Sequence, residues 1–313
     1  MEKHKIFMAG SMYPGIRTKF ENAYNVFHIQ SEADFASIPD SWSKECRVFV
    51  TNSGTGIERN HLAALPGVKL VANFGVGVDL IDVNYCTQNG IAVSNTPGVI
   101  TDDVADLTIA LLLATVRRVV AADRFVRERK WLEGHFPLGS SIRDMKIGIV
   151  GLGAIGQEVA RLCKAFGSDI GYFGPRRKPV EYTYYQSLED LACWADVLIA
   201  ACPGGKATQG IISAPVLDRL GPQGIFINVA RGSVVDEQAL VERLVNGGIW
   251  GAGLDVFSTE PNIPEELLKL DNVVLQPHLG AATHRSRLKM GELTLANVDA
   301  FFAGKTLLTP VNL

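Results

Sequence analysis

The sequence has little of what marks a disulfide scaffold, a membrane span or a binder of polyanions. Its five cysteines (Cys46, Cys86, Cys163, Cys193, Cys202) are odd in number, widely scattered and contain no C-x-x-C pair. Neither a disulfide framework nor a metal site is expected, and the thiols read as reduced, in a soluble cytoplasmic protein. The longest apolar run, 107–116, is ten residues, against the roughly 20 that a spanning helix requires. The opening MEKHKIFMAG is too short an apolar stretch for a secretory signal. Lys and Arg total 30 against 33 Asp and Glu, so no global basic field exists to hold nucleic acid or an anionic membrane. No internal repeat or low-complexity segment is visible. What remains is a globular composition, 47% hydrophobic and 20% charged, in a chain of 313 residues, long enough for two hydrophobic cores.

Short apolar, β-branched segments alternate with longer amphipathic ones, the pattern of parallel sheets covered by helices. In the first third, strands are expected at 5–9, 47–50, 69–73 and 91–93. A turn, NTPG at 95–98, then leads into one long helical pattern over 101–129, acidic at its start (Asp102, Asp103) and arginine-rich at its end, read as a connecting helix between domains. A second series gives six strands, at 146–150, 169–173, 196–200, 224–229, 251–256 and 272–275, enough for a doubly wound dinucleotide domain. The tail, 284–304, is helical by periodicity.

The strand KIGIV runs directly into Gly151-Leu152-Gly153-Ala154-Ile155-Gly156 and then a helix over 157–166, which places G-x-G-x-x-G in the strand-turn-helix setting that dinucleotide binding requires. Gly151 allows the tight turn, Gly153 lets backbone N–H groups reach a pyrophosphate, and Gly156 lets the helix pack closely on the strand. About 20 residues on, where an acidic residue usually meets the ribose hydroxyls of NAD, the chain reads Gly174-Pro175-Arg176-Arg177-Lys178. Guanidinium forks suit the 2′-phosphate dianion, so NADPH is expected as the preferred coenzyme, with NADH as an alternative.

Three polar residues follow later strands, where open α/β sheets bind ligands: Arg231 in NVARGS, Glu260 in STEP and His278 in QPHLG. Hydride transfer to a carbonyl needs a proton donor for the forming alkoxide, and histidine is suited to that task. A carboxylate at hydrogen-bond distance holds the ring and favours its charged form, the part given to Glu260. Arg231 fits the carboxylate of a 2-oxo acid. With GVGVD at 75–79, NTPG, GLGAIG, NVARGSVVDE, GAGLDVF, EP and PHLGAAT in order along the chain, the sequence resembles the D-isomer-specific 2-hydroxyacid dehydrogenase family, particularly its glyoxylate and hydroxypyruvate reductase branch.

That resemblance implies two Rossmann-like α/β domains with parallel sheets, the coenzyme domain (98–284) inserted into a split substrate domain (1–97 and 285–313), with a cleft that closes on a small 2-oxo acid. It implies that Val76 and Gly77 offer N–H groups to the substrate carboxylate, and that Ser53 and Gly54 face its side chain. It further implies that Asp255 lies near the nicotinamide carboxamide and ribose, that Val229, Ala230 and Gly280 line the nicotinamide side together with His278, and that the protein is a homodimer. Reduction of longer 2-oxo acids, such as 2-ketogluconate or hydroxyphenylpyruvate, is the alternative activity. A nucleotide-sensing corepressor is a remote one, disfavoured because no recruitment tail or Pro/Ser-rich extension is seen. The longer kind of phosphoglycerate dehydrogenase is disfavoured because no regulatory extension follows Leu313.

Overall fold

Strands buried on both faces carry almost continuous apolar sequence, and such strands pair in parallel. A computed structural model describes residues 3–312 and divides the chain into two compact units, Met1–Ile100 with Thr283–Leu313, and Thr101–Ala282. The first unit holds β1 (Lys5–Ala9), β2 (Asn25–Ile29), β3 (Val48–Asn52), β4 (Leu70–Phe74) and β5 (Ala92–Ser94), in the parallel order β2-β1-β3-β4-β5. Alternation along β1 sends Phe7 and Ala9 to one core and Ile6 and Met8 to the other. Each fully buried aliphatic side chain contributes about 1.5–3 kcal/mol.

The second core is completed by the C-terminal segment. The helix His284–Phe302 packs on β4 and on the helix Pro14–Ala23, so closely that a Cβ on Gly291 would lie 2.3 Å from Ile16 Cγ1. Val298 and Leu307 enter the core. Buried Asn297 accepts from the Leu308 and Thr309 amides and donates to Thr309 Oγ1, and Asn312 Oδ1 accepts from Val93 N.

The second unit holds β6 (Lys146–Val150), β7 (Asp169–Phe173), β8 (Thr183–Tyr185), β9 (Val197–Ala200), β10 (Ile225–Asn228), β11 (Gly251–Leu254) and β12 (Val273–Leu275). All are parallel, in the order β12-β11-β10-β9-β6-β7-β8. The chain reverses direction across the sheet between β6 and β9, and ligands of such sheets sit beyond the strand ends at that point.

Two parallel α/β sheets are what the alternation predicts, but three details differ. Strands β2 and β8 were not expected: both are edge strands, β2 only partly buried and β8 only three residues long, so neither produces an apolar run. The single helix expected over 101–129 is two, Thr101–Val116 and Val119–Arg127. The break falls at Arg118, in the left-handed region at φ 54°, where the returning chain takes the Val116 carbonyl with the Ser140 N–H and the Arg118 guanidinium lies over the Phe136 ring. The first of these helices packs on the helix Ala154–Ala165 and on β10, β11 and β12, so it is an element of the second unit and not a free connector. No helix among the described residues is long and apolar enough to cross a membrane.

Candidate active site

At the end of β6, Gly151 has φ 95°, and a Cβ there would lie 2.6 Å from Cys202 Cα. A Cβ on Gly156 would lie 2.2 Å from the Gly151 carbonyl oxygen, while one on Gly153 meets nothing within 4 Å. Glycine is thus required at 151 and 156 to bring turn, strand and helix together. Gly153 leaves the N-terminus of the helix Ala154–Ala165 open, where N–H groups and the helix dipole receive a phosphate. Leu152 is buried, Ile155 half-buried and Ala154 exposed. A cavity of about 630 Å³, walled in part by Ala154, Gln157, Arg161 and Tyr182, runs along the same helix.

The turn after β7 is tied down by its own aromatic residues: Lys178 N donates to Tyr172 Oη at 2.7 Å, and Tyr184 Oη donates to the Gly174 carbonyl at 3.1 Å. Gly174 borders open space, and Arg176 and Arg177 are exposed, neither in an ion pair among the described residues. These features fit a dinucleotide: an open helix start after β6, two exposed cations in the turn after the neighbouring strand β7, and no carboxylate at the end of that strand.

Beyond β10, buried Asn228 clamps the loop carrying Arg231. Its Oδ1 accepts from Ala230 N and its Nδ2 donates to the Arg231 carbonyl, at 3.1 Å each. Arg231 Nη1 donates to the Ala230 carbonyl at 2.7 Å. Val229 and Ala230 are buried beside it. A Cβ on Gly232 would lie 1.9 Å from the carbonyl carbon of Phe257, so the loops after β10 and β11 touch.

The loop after β11 carries Glu260, whose Oε1 accepts from Phe257 N at 2.9 Å and whose Oε2 is 2.8 Å from His278 Nδ1. Burial by itself raises the Glu260 pKa. The hydrogen bonds from His278 and Phe257, with the charges of His278 and Arg231, outweigh that and leave it below the usual range. Arg231, Glu260 and His278, far apart in sequence, form one electrostatic cluster.

His278 has φ 56°, unusual outside glycine. Buried Asp255 holds it so: its carbonyl accepts from His278 N at 2.9 Å, and its two carboxylate oxygens accept from Leu279 N (2.6 Å) and Gly280 N (2.9 Å). Burial raises the Asp255 carboxyl pKa above its ordinary value, against those hydrogen bonds. Both Asp255 oxygens are therefore engaged within the turn. Sequence reasoning did not find Asn228; a polar residue closing an apolar strand just before an arginine was the available signal.

In the first unit, Ser53 Oγ donates to the Gly77 carbonyl at 2.8 Å, and Gly54 N donates to Asn52 Oδ1 at 2.9 Å. Val76 and Gly77 lie in the turn that follows β4.

The model of the D-isomer specific 2-hydroxyacid dehydrogenase NAD binding domain matches residues 109–280. The chain is 40% identical over 312 residues to the glyoxylate/hydroxypyruvate reductase A of Arabidopsis thaliana, covering 99% of this chain and 100% of that one. It is 42% identical over 315 residues to the hydroxyphenylpyruvate reductase of Plectranthus scutellarioides, again covering 99% and 100%. It superposes with TM-score 0.93 and 39% identity on the NADPH-dependent glyoxylate/hydroxypyruvate reductase of Sinorhizobium meliloti, solved with NADP and malonate, covering 99% and 97%. The chain belongs to the D-isomer-specific 2-hydroxyacid dehydrogenase family and is an NAD(P)-dependent oxidoreductase.

Proposed function

We propose that this protein reduces a small 2-oxo acid, glyoxylate or hydroxypyruvate, to the D-2-hydroxy acid with NADPH. The observation that carries this reading is the 2.8 Å contact between His278 Nδ1 and Glu260 Oε2. It engages one ring nitrogen and leaves Nε2 to deliver a proton. When bound, the coenzyme supplies the hydride that the carbonyl carbon accepts. His278, as imidazolium, gives its Nε2 proton to the carbonyl oxygen as the C=O bond becomes an alkoxide, and ends neutral. Glu260 fixes the ring's orientation through that contact. Arg231 binds the substrate carboxylate and stabilises charge growing on the carbonyl oxygen, and the Val76 and Gly77 amides also receive the carboxylate. Ser53 and Gly54 belong to the loop beside the substrate side chain.

On the coenzyme side, the 151–156 turn takes the pyrophosphate, Arg176 and Arg177 pair with the 2′-phosphate beside Gly174, and Val229, Ala230, Asp255 and Gly280 border the nicotinamide. The unit Thr101–Ala282 is accordingly the coenzyme domain and the other the substrate domain. The reading extends to a cytoplasmic homodimer, supported by five free cysteines and by the exposed apolar residues Val126, Trp131, Leu132 and Leu138. A panel of 2-oxo acids assayed with NADPH tests the function: kcat/KM highest for glyoxylate or hydroxypyruvate is expected. A clear preference for hydroxyphenylpyruvate or 2-ketogluconate would move the assignment to longer substrates.

A further inference from the structure

The turn Gly75-Val76-Gly77 has all three of its carbonyl oxygens held by groups outside it. The Gly75 carbonyl accepts from Thr96 N at 2.9 Å and from Asn73 Nδ2 at 3.1 Å. The Val76 carbonyl accepts from Asn95 Nδ2 at 2.8 Å. The Gly77 carbonyl accepts from Ser53 Oγ at 2.8 Å and from Asn73 Nδ2 at 2.9 Å. In a trans peptide the C=O of one residue and the N–H of the next point in opposite directions across a rigid plane. Fixing these three carbonyls therefore fixes the N–H directions of Val76, Gly77 and Val78. None of those three N–H groups donates to an acceptor among the described residues.

Asn73 is the centre of this frame. It stands in β4 opposite Thr51 of β3 and is 1% exposed. Its terminal nitrogen lies within hydrogen-bond distance of two carbonyls and the Ser53 hydroxyl, three acceptors for two N–H bonds, so one hydrogen is shared. Its Oδ1 is buried with no hydrogen-bond partner, a costly arrangement in a protein interior, so the amide serves the turn entirely as a donor. Ser53 Oγ fills the space beside Gly75: a Cβ there would lie 1.9 Å from it. A side chain at 75 would displace the hydroxyl that anchors residue 77. Asn95 is anchored in its turn, its carbonyl accepting from Thr309 Oγ1 at 2.6 Å.

We propose that Asn73, with Ser53 and Asn95, are positioning residues that orient the Val76 and Gly77 amides for a carboxylate they do not themselves touch. This rests on the reading that those amides receive the substrate carboxylate. Rigid, outward-pointing successive N–H groups form an anion-binding concavity, and its affinity depends on their not reorienting when the anion arrives.

The test combines variants with spectroscopy on the full-length protein. Asn73→Ala, Ser53→Ala and Asn95→Ala are assayed for KM of glyoxylate, Ki of oxalate competing with glyoxylate, KM of NADPH, kcat and Tm. Asn73→Ala is expected to raise KM for glyoxylate and Ki for oxalate together by about tenfold, and the other two by about threefold to tenfold, with kcat changed less than KM and KM for NADPH unchanged. A residue that only supports the fold would lower Tm without moving the oxalate Ki. Should Asn73→Ala fail to fold, the two partly exposed positions carry the test alone. Folded variants with wild-type oxalate Ki and glyoxylate KM would overturn the proposal. In the wild type, the amide resonances of Val76 and Gly77 are expected to shift when oxalate is added. No shift would overturn both the carboxylate reading and this inference, whereas a shift with unchanged Ki in the variants overturns the inference alone.

Discussion

Glu260→Gln is the sharpest probe of the His278–Glu260 contact, because it removes a charge and leaves the shape. In the wild type both carboxylate oxygens accept, one from Phe257 N and the other from His278 Nδ1. An amide cannot do both. If its oxygen stays on Phe257 N, its NH₂ faces Nδ1 and demands the lone pair that a protonated ring lacks; if it flips, NH₂ meets the Phe257 N–H. The charge effect follows from Coulomb's law: two unit charges about 4 Å apart interact by about 1 kcal/mol in water and about 4 kcal/mol near a protein surface. The His278 and Glu260 side chains are 46% and 35% exposed, so screening holds the charge effect to about 1 kcal/mol or less, and the mispaired hydrogen bond carries most of the loss.

The mispaired amide leaves the ring without the contact that orients Nε2 toward the carbonyl. The expected result is kcat down by roughly tenfold to a hundredfold, the cost of one mispaired hydrogen bond of about 1–3 kcal/mol, with KM for NADPH unchanged. The assay is the initial rate of NADPH oxidation at saturating glyoxylate. A variant with wild-type kcat would refute the coupling.

Replacing the proton donor itself, His278→Gln, is expected to lower kcat by roughly 10² to 10⁴ while NADPH binding, followed by fluorescence titration, persists; near-normal turnover would exclude His278 as the acid. Arg231→Lys keeps the charge but not the planar fork, so KM for glyoxylate should rise and kcat fall; wild-type constants would rule out a bidentate grip. Arg176→Ala with Arg177→Ala should raise KM for NADPH by at least about tenfold and leave KM for NADH nearly unchanged, each charged hydrogen bond being worth about 1.5–3 kcal/mol before screening at these exposed positions. Equal loss of both coenzymes, or a wild type that prefers NADH, would show that the two arginines do not read the 2′-phosphate.

What could be read from sequence follows the physics of burial. Strands such as β4 and β10, with every residue buried, print their identity as apolar runs, and the glycines at 151 and 156 are demanded by clashes no other residue avoids. Edge strands β2 and β8 owe their existence to a neighbour's open edge, and pairing leaves no trace in composition. The break at Arg118 is likewise set by a distant segment, through Ser140 N and the Phe136 ring. The proximity of Glu260 and His278 could be anticipated because each follows a strand end. The supports could not: Asn228 behind Arg231 and Asn73 behind the 75–77 turn lie within apolar strands, and Asp255, expected near the nicotinamide, also holds the turn at 278 through amides brought near only by the fold.

The interruption of the first unit by the second has a consequence for biosynthesis. When residue 100 has been made, the sheet face carrying Ile6, Met8, Val48, Val50 and Leu70 still lacks Val298 and Leu307, which share its core and belong to the last segment of the chain. The intervening unit, Thr101–Ala282, must be made first. At roughly 5–20 residues per second, that leaves one apolar face of the N-terminal sheet covered only in part, by Ile16, Phe20 and Tyr24, for on the order of ten to forty seconds, while the middle unit can already close around its own core. An exposed apolar face of this kind attracts chaperones and like surfaces. A chain that stalls or is cut before Thr283 would strand that face permanently, so faults at the far C-terminus should emerge as aggregation of the N-terminal sheet.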